Sequence, residues 1–199
     1  GSLALEDQAP SGTGNVYNIA IGHHAGKEIT TGVQNTLIGG LAGDALTTGS
    51  NNVAIGQEAL STEDGDGRNI AIGTSALKVQ NAGADAYNIA IGYSTGRLIT
   101  TGTQNTVIGG LAADALTTGS FNTALGYNSL GSETAGNRST ALGYFALFNQ
   151  NVGSDANNVA IGHSAGEQIT SGVKNVLVGN NSGDALTTGI NNVAIGYRA

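Results

Sequence analysis

The chain has 199 residues, of which 33 are Gly and one is Pro, and charged residues make up only 11%. The net charge of −7, with seven scattered Lys and Arg, argues against a nucleic-acid partner, because phosphate binding needs clustered basic side chains. There is no Cys, which excludes disulfides and thiolate metal sites, and no apolar run is long enough to insert into a membrane.

The N-terminus starts with Gly1 and Ser2, which is typical of a cloning scar, and no signal peptide follows. We assign residues 1–14 to a tag remnant and N-terminal extension and residues 15–199 to a repeat array. A missing signal does not indicate a cytoplasmic protein, since a fragment can lack its export signal.

A five-residue phrase of the type Asn-x-Ala-Ile-Gly recurs along the array, first at 18–22 and last at 192–196. The positions of successive phrases differ by 17, or by 19 at two places. Four phrases make up a larger super-repeat of 70 residues, which runs for example from Gly22 to Gly92. The closing glycines of the eleven phrases are Gly22, Gly39, Gly56, Gly73, Gly92, Gly109, Gly126, Gly143, Gly162, Gly179 and Gly196.

Each phrase alternates in a way that predicts a β-strand. Val53 and Ile55 fall on one face and Ala54 on the other, which is the period of two typical of strands. Because both faces are apolar, we expect the strand to be buried on both sides, with the small face against another backbone.

Residues 28–32 and 45–49, which end in Thr-Thr-Gly, predict a second, shorter strand in each repeat. Two strands and two turns would complete one coil, and stacked coils would form an all-β parallel solenoid of about eleven coils. A helical repeat is rejected, because Gly at this frequency costs about 1 kcal/mol per position in a helix.

So short a coil encloses a narrow core, and we therefore expect an obligate homo-oligomer in which the small-residue face packs against other copies. The residues assigned to packing in the core or between copies are Ala54, Ile55, Ala71, Ala124, Ala160 and Ile161.

The phrases at 52–56 and 158–162, and the string at 46–56, resemble the head repeats of trimeric autotransporter adhesins and related repeats of phage and viral tail fibres. The resemblance covers residues 18–199 and implies a left-handed parallel β-roll, a homotrimer and an extracellular location on a bacterial or virion surface. The adhesin repeats are shorter, near fourteen residues, and Ser139 replaces the phrase Asn in one repeat.

Metal binding is not expected. His23 and His163 belong to one column with Tyr93, on distant coils, and should face solvent, while the adjacent His23 and His24 should point to opposite sides of an extended chain. The acidic loop at 63–67 lacks the ligand spacing of an EF-hand, so we interpret it as a solvated turn.

Threonine pairs, as at 30–31 and 47–48, suggest an ice-binding comparison, because flat Thr arrays on solenoids can match ice. The pairs are missing from four coils, and adjacent Thr side chains in a strand face opposite ways. Ice binding stays an alternative.

Aromatic residues follow several phrase glycines and could stack on sugars of a receptor or could simply cover the edge of a coil. The longer loops at 78–86 and 148–156 are the other candidates for contact. The candidate receptor or glycan contacts are Tyr93, Tyr127, Tyr144, Phe145, Phe148 and His163.

We find no catalytic motif and expect neither an enzyme nor a cofactor. The pattern predicts a structural fibre or adhesin-type surface protein that presents loops for attachment. The alternatives are a purely structural spacer without receptor binding and an ice-binding solenoid.

Overall fold

The computed structural model describes residues 1–9, 15–65 and 67–199. Within these residues it contains no helix and eleven strands, which form one parallel sheet in chain order. The strands are β1 (Ile19–Ile21), β2 (Thr36–Ile38), β3 (Val53–Ile55), β4 (Ile70–Ile72), β5 (Ile89–Ile91), β6 (Thr106–Ile108), β7 (Thr123–Leu125), β8 (Thr140–Leu142), β9 (Val159–Ile161), β10 (Val176–Val178) and β11 (Val193–Ile195).

A coil is defined here as the segment from one phrase glycine to the residue before the next. Ten coils are complete, and coils 1 to 10 begin at the phrase glycines 22, 39, 56, 73, 92, 109, 126, 143, 162 and 179 in turn. Each strand pairs residue for residue with the strand of the next coil, so that Ala54 lies beside Ala71 and Ala71 beside Ala90. The predicted all-β parallel solenoid, with a repeat of 17 that rises to 19 in two coils, is confirmed.

Coils 4 and 8 keep this register although they contain two more residues than the others. The additional residues are therefore accommodated away from the sheet, in loops at 81–87 and 151–157 that have no strand. Gly83 and Gly153 stand free in these loops, with open space around the position of a Cβ atom.

The predicted second strand is wrong. Residues 28–32 and 45–49 are turns and bends. The carbonyl of Thr47 accepts the N–H groups of Thr30, Thr31 and Gly32, at 2.9, 3.2 and 3.2 Å. Three consecutive donors can converge on one carbonyl of the next coil only if their backbone is bent, whereas a parallel ladder would distribute them over several carbonyls.

The orientation of the strands differs from the expectation for the small-residue face. The middle residue of each strand points into the coil, so Ala54, Ala71, Ala124 and Ala160 are fully buried in the chain's own core. The expected contact of this alanine face with another copy is therefore wrong. The flanking branched residues, including Ile55, point outward and are partly exposed.

The core is built in two ways, which differ at the fifth and eighth residues of a coil. In coils 1, 2, 5, 6, 9 and 10, which we call glycine coils, the fifth residue is Gly or Ala and the eighth is a large aliphatic. In coil 5, a Cβ on Gly96 would lie 2.9 Å from Ile99 Cδ1, so the large residue fills the space of the missing side chain.

Coils 3, 4, 7 and 8, which we call leucine coils, reverse the arrangement, with Leu at the fifth position and Glu or Gln at the eighth. In coil 7 these are Leu130 and Glu133, and both side chains are fully buried. The four-coil super-repeat is therefore two glycine coils followed by two leucine coils.

The phrase glycines form a column that no other residue type can replace. Gly109 has a φ of +126°, and a Cβ there would lie 2.6 Å from the carbonyl oxygen of Gly126 on the next coil. Glycine is needed because the backbones of neighbouring coils approach too closely for a side chain and because φ is positive.

The phrase asparagines form a buried ladder beside this column. The N–H of Asn105 donates to Oδ1 of Asn88 at 2.8 Å, and Oδ1 of Asn105 accepts the N–H of Asn122 at 2.9 Å. Nδ2 of Asn105 donates to the carbonyl of Gly119 at 2.9 Å. The ladder satisfies the buried backbone groups at the start of each strand and fixes one coil against the next.

Residues 1–9 lie against coil 1. The N–H of Leu5 donates to the carbonyl of Ala25 and that of Asp7 to the carbonyl of Lys27, both at 3.1 Å. Leu5 also packs against the core. Residues 10–14, the remainder of the segment assigned to a tag remnant and extension, lie outside the described residues.

Candidate binding surfaces

The outer face of the sheet is a continuous, mostly apolar surface, which we call the aliphatic face. It consists of the first and third residues of all eleven strands, and each is Ile, Val, Leu or Thr. Stacking covers part of each side chain in the middle of the sheet, whereas Val193 and Ile195 at the end are about 70% exposed. Ten steps of about 4.8 Å and a width of about 10 Å give about 500 Å².

A patch of about 500 Å² lies in the range of the largest apolar patches on monomeric proteins, which are often functional. The assigned packing residues Ile55 and Ile161 belong to this face, while the assigned alanines belong to the core. Sequence reasoning recognised the alternation and assigned its two sides the wrong way round, because a pattern of period two does not say which side is inside.

A second surface is the aromatic column on coils 7 to 9. Tyr127, Tyr144 and His163 occupy the second position of successive coils and stack with ring centroids 5.6 and 5.0 Å apart. Phe145 lies 4.5 Å from Tyr144 and 4.6 Å from Phe148. The structure thus brings five of the six candidate contact residues together.

The stacking limits what these rings can bind. A sugar needs an open ring face, and both faces of Tyr144 are covered by its two neighbours in the column. Phe148 lies over Gly131, where a Cβ would come within 3.0 Å of its ring. The middle of the column therefore presents ring edges, and the half-buried Phe145 and Phe148 cover the surface of coil 7.

The sixth candidate, Tyr93, lies apart on coil 5 and is 64% exposed. Gly110 follows it in the same column on coil 6, and Tyr127 follows on coil 7. The backbone fixes this order, because Leu111 donates its N–H to the carbonyl of Tyr93 at 2.9 Å and Asn128 donates to that of Gly110 at 3.1 Å.

The histidines do not form a metal site. His23 and His163 are exposed, as expected. The rings of His23 and His24 stack 3.9 Å apart, so the expectation that they point to opposite sides is wrong. The cause is the φ of +58° at His24, which is not extended backbone. Among the described residues, no three His, Asp or Glu side chains converge as a metal site.

The acidic loop at 63–67 is only partly the solvated turn that we expected. Asp64 is exposed, but Glu63 is fully buried, and Asp66 lies outside the described residues. The correction follows from the position of Glu63 at the eighth place of a leucine coil, where its side chain enters the core side of the turn.

Glu133 takes the same place in the next super-repeat, and its contacts explain why a carboxylate can be buried there. Oε1 accepts the N–H groups of Thr134, Ala135 and Gly136, at 3.0, 3.2 and 2.7 Å. Oε2 accepts from Nε2 of Gln150 at 2.9 Å and from the N–H of Val152 at 3.1 Å. Five hydrogen bonds compensate for the loss of water.

Sequence reasoning missed this buried network. Gln150 also donates to Oγ of Ser139 at 2.9 Å and accepts from Nδ2 of Asn158 at 2.8 Å, which explains why Ser can replace the phrase Asn in this coil. The sequence does contain a signal for it. Where the fifth residue of a coil changes from Gly or Ala to Leu, the eighth residue changes from a large aliphatic to Glu or Gln.

The two longer loops carry charged pairs on the surface. Arg68 pairs with Asp85, and Arg138 with Asp155. Arg138 also lies over the ring of Phe121, with 5.7 Å between Cζ and the ring centroid. These side chains are about half exposed, so the pairs orient the loops and contribute little stability.

The first threonine of several pairs uses its hydroxyl group between coils. Thr30 and Thr100 donate their hydroxyls to backbone carbonyls of the next coil at 3.1 and 3.2 Å, and Thr117 does so at 2.8 Å. These hydroxyl groups serve to join coils.

Two carboxyl groups are perturbed by partial burial. Desolvation raises the pKa of Asp44 and of Asp114, which occupy equivalent places in coils 2 and 6. In contrast, the partly buried Glu58 has its pKa lowered by the hydrogen bond from Lys78, at 2.6 Å.

Comparisons with protein-family models, curated proteins and solved structures return no match. No helix that could cross a membrane occurs in the part of the chain that the structure describes. The function therefore has to be argued from the surfaces alone.

Proposed function

We propose that the chain is part of a trimeric fibrous surface protein, an adhesin-type head or a virion tail fibre. In this proposal the solenoid is a rigid, extracellular spacer that holds loops for attachment to a host or cell surface. Neither an enzymatic activity nor a cofactor belongs to it.

The observation that carries the proposal is the aliphatic face, which is continuous over eleven strands. Its estimated 500 Å² would be exposed on a single chain, and covering it is favourable at about 25 cal/mol per Å². Copies related by rotation about an axis parallel to the stack would each cover this face along its full length.

The mechanical role is supported by the hydrogen bonding between coils. The strand ladder joins each coil to the next, and the Asn ladder and the hydroxyls of the threonine pairs add further bonds between many of the coils. Bending the stack would break several of these bonds at once, so the coils behave as one stiff unit.

Light scattering on the wild type and on Ile108→Glu tests the assembly. We expect a mass of three chains for the wild type and a smaller mass for the variant, since a carboxylate would be buried between copies. The control is Thr118→Glu, at an exposed site outside the sheet, which should keep the mass of the wild type. A folded wild type with the mass of one chain would contradict the trimer.

Attachment is tested with a glycan array and a variant in which Tyr144, Phe145 and Phe148 are all replaced by Ala. The adhesin function predicts binding by the wild type and a loss of binding in the variant. The covered ring faces of Tyr144 favour a second candidate, the spacer without receptor binding, which predicts no binding by either protein.

A further inference from the structure

The second position of the coils contains one place where two exposed tyrosines lie on either side of a glycine in the column. Tyr93 on coil 5 and Tyr127 on coil 7 are separated by Gly110 on coil 6. Two coil steps correspond to about 9.6 Å. We call the space between the two tyrosines, above Gly110, the tyrosine slot.

The slot is open on the side of Tyr93. A Cβ on Gly110 would have only two heavy atoms within 4 Å, both ring carbons of Tyr127, at 3.5 and 3.9 Å. The opposite face of Tyr127 is covered by Tyr144, so the face toward Gly110 is the one left for a ligand. Both tyrosines are exposed, at 64% and 47%.

We propose that the tyrosine slot binds a single neutral hexopyranose ring between Tyr93 and Tyr127. A contact between a ring face and a carbon atom needs about 3.5–4.0 Å. Two such contacts take up about 7–8 Å of the roughly 9.6 Å between coils 5 and 7, which leaves room for the thickness of a puckered saturated ring. A flat aromatic ligand would need only about 7 Å in total and would fit loosely.

The chemistry of the walls agrees with a sugar. The negative faces of aromatic rings attract the slightly positive C–H groups on one side of a pyranose, and the hydroxyl groups of the sugar stay in water. A neutral sugar is favoured over an acidic one, because the chain has a net charge of −7. This proposal rests on the attachment function proposed above and gives it a location.

The equivalent glycine of the preceding super-repeat offers a matched control. Gly40 also has open space around a Cβ, but its neighbours in the column are His23 and Gln57. A side chain at Gly40 therefore changes the surface in the same way without blocking a space between two aromatic rings.

The experiment is saturation-transfer NMR with methyl β-galactopyranoside and methyl β-glucopyranoside as probes. We expect transfer to the ring C–H protons of at least one sugar with the wild type and with Gly40→Leu. Gly110→Leu, which fills the slot, and Tyr93→Ala, which removes one wall, should each reduce the transfer at least fivefold.

Absence of transfer from the wild type to either sugar would overturn the proposal, and so would full transfer in Gly110→Leu or Tyr93→Ala. Tyr93→Ala removes only an exposed ring, so it keeps the test valid if Gly110→Leu does not fold. The mass measurement separates the two proposals. A trimer without saturation transfer would reject only the sugar-binding slot, and a monomer with saturation transfer would reject only the trimer.

Discussion

Glycine coils and leucine coils have the same backbone register but fill their interiors in opposite ways. A glycine coil has no large side chain at its fifth position and a large aliphatic at its eighth, as in Gly96 and Ile99. A leucine coil places the aliphatic at the fifth position and a polar group at the eighth, as in Leu147 and Gln150.

The comparison teaches that a coil has room for one large aliphatic side chain beside the strand, and that two positions can supply it. Where the fifth position supplies it, the eighth is free for a hydrogen-bonding group. In coil 7 Glu133 accepts three consecutive N–H groups of the turn, and in coil 8 Gln150 bonds to the side chains of Ser139 and Asn158.

The largest effect is expected from Glu133→Ala, which removes the acceptor that leucine coils depend on. Four backbone N–H groups and the amide of Gln150 would lose their partner, and we expect a loss of about 3–5 kcal/mol in the free energy of unfolding. Urea denaturation measures it. Glu28→Ala, at an exposed surface pair, is the control and should leave the midpoint unchanged.

The phrase glycines, which both kinds of coil share, give the next effect. Gly109→Ala combines a positive φ with a Cβ 2.6 Å from the Gly126 carbonyl oxygen, and should lose about 3 kcal/mol. The adjacent Gly110→Ala meets only the Tyr127 ring at 3.5 Å and should stay within about 0.5 kcal/mol of the wild type. Equal losses in the two variants would contradict the close approach of the backbones.

Exchanging the two interiors tests the comparison itself. In coil 6, Ala113→Leu overfills the core and Leu116→Gln buries an amide, so each alone should destabilise the chain. Together they reproduce the leucine arrangement, and the double variant should be more stable than the sum of the single effects by at least about 1 kcal/mol. Thermal or urea unfolding of the four proteins gives the coupling energy, and simple additivity would sink the two-position account.

The smallest effect concerns Asp44 in glycine coil 2. Burial raises its pKa above the ordinary value of 3.8, so the folded chain holds the proton more tightly than the unfolded chain. Stability attributable to Asp44 therefore rises as the pH falls through its folded pKa. Since the Asp44 carboxyl group is only partly buried, solvent screening limits the effect to a few tenths of a kcal/mol.

Asp44→Asn should accordingly be slightly more stable than the wild type at pH 7, and the difference should vanish below about pH 4. Asp184→Asn, at the equivalent but exposed place in coil 10, is the control and should show no such gain. Unfolding midpoints measured across this pH range decide the matter, and a gain that persists at low pH would exclude the titration of Asp44 as its cause.

Much of the fold could be predicted from the sequence because the repeat is regular. The phrase spacing predicts the number of coils, and the alternation within each phrase predicts a strand. The columns of Asn and Gly follow from stacking such phrases in register, and Asn105 and Gly109 show the contacts that make both residue types necessary.

The rest depends on geometry that a pattern does not contain. Alternation alone does not tell that Ala54 is inside and Ile55 outside. The Thr-Thr-Gly segments have the composition of strands, yet the converging hydrogen bonds at Thr47 make them turns. The acidic residue Glu63 reads as a surface residue until its place in the coil is known.

The candidate contacts were predicted as residue types and needed the structure for their grouping. The sequence placed Tyr127 and Tyr144 directly after phrase glycines, but the ring stacking that joins them with His163 depends on side-chain packing. The sequence also does not show that the ring faces of Tyr144 are covered while the space beside Gly110 is open, because both depend on the three-dimensional packing.

Small-angle X-ray scattering of the wild-type chain tests the central claim most directly, because it reports mass, length and cross-section together. A stack of eleven strands associated through the aliphatic face predicts a rod about 50 Å long with the mass of three chains. A folded particle with the mass of one chain, or one much shorter than the stack, would contradict the account.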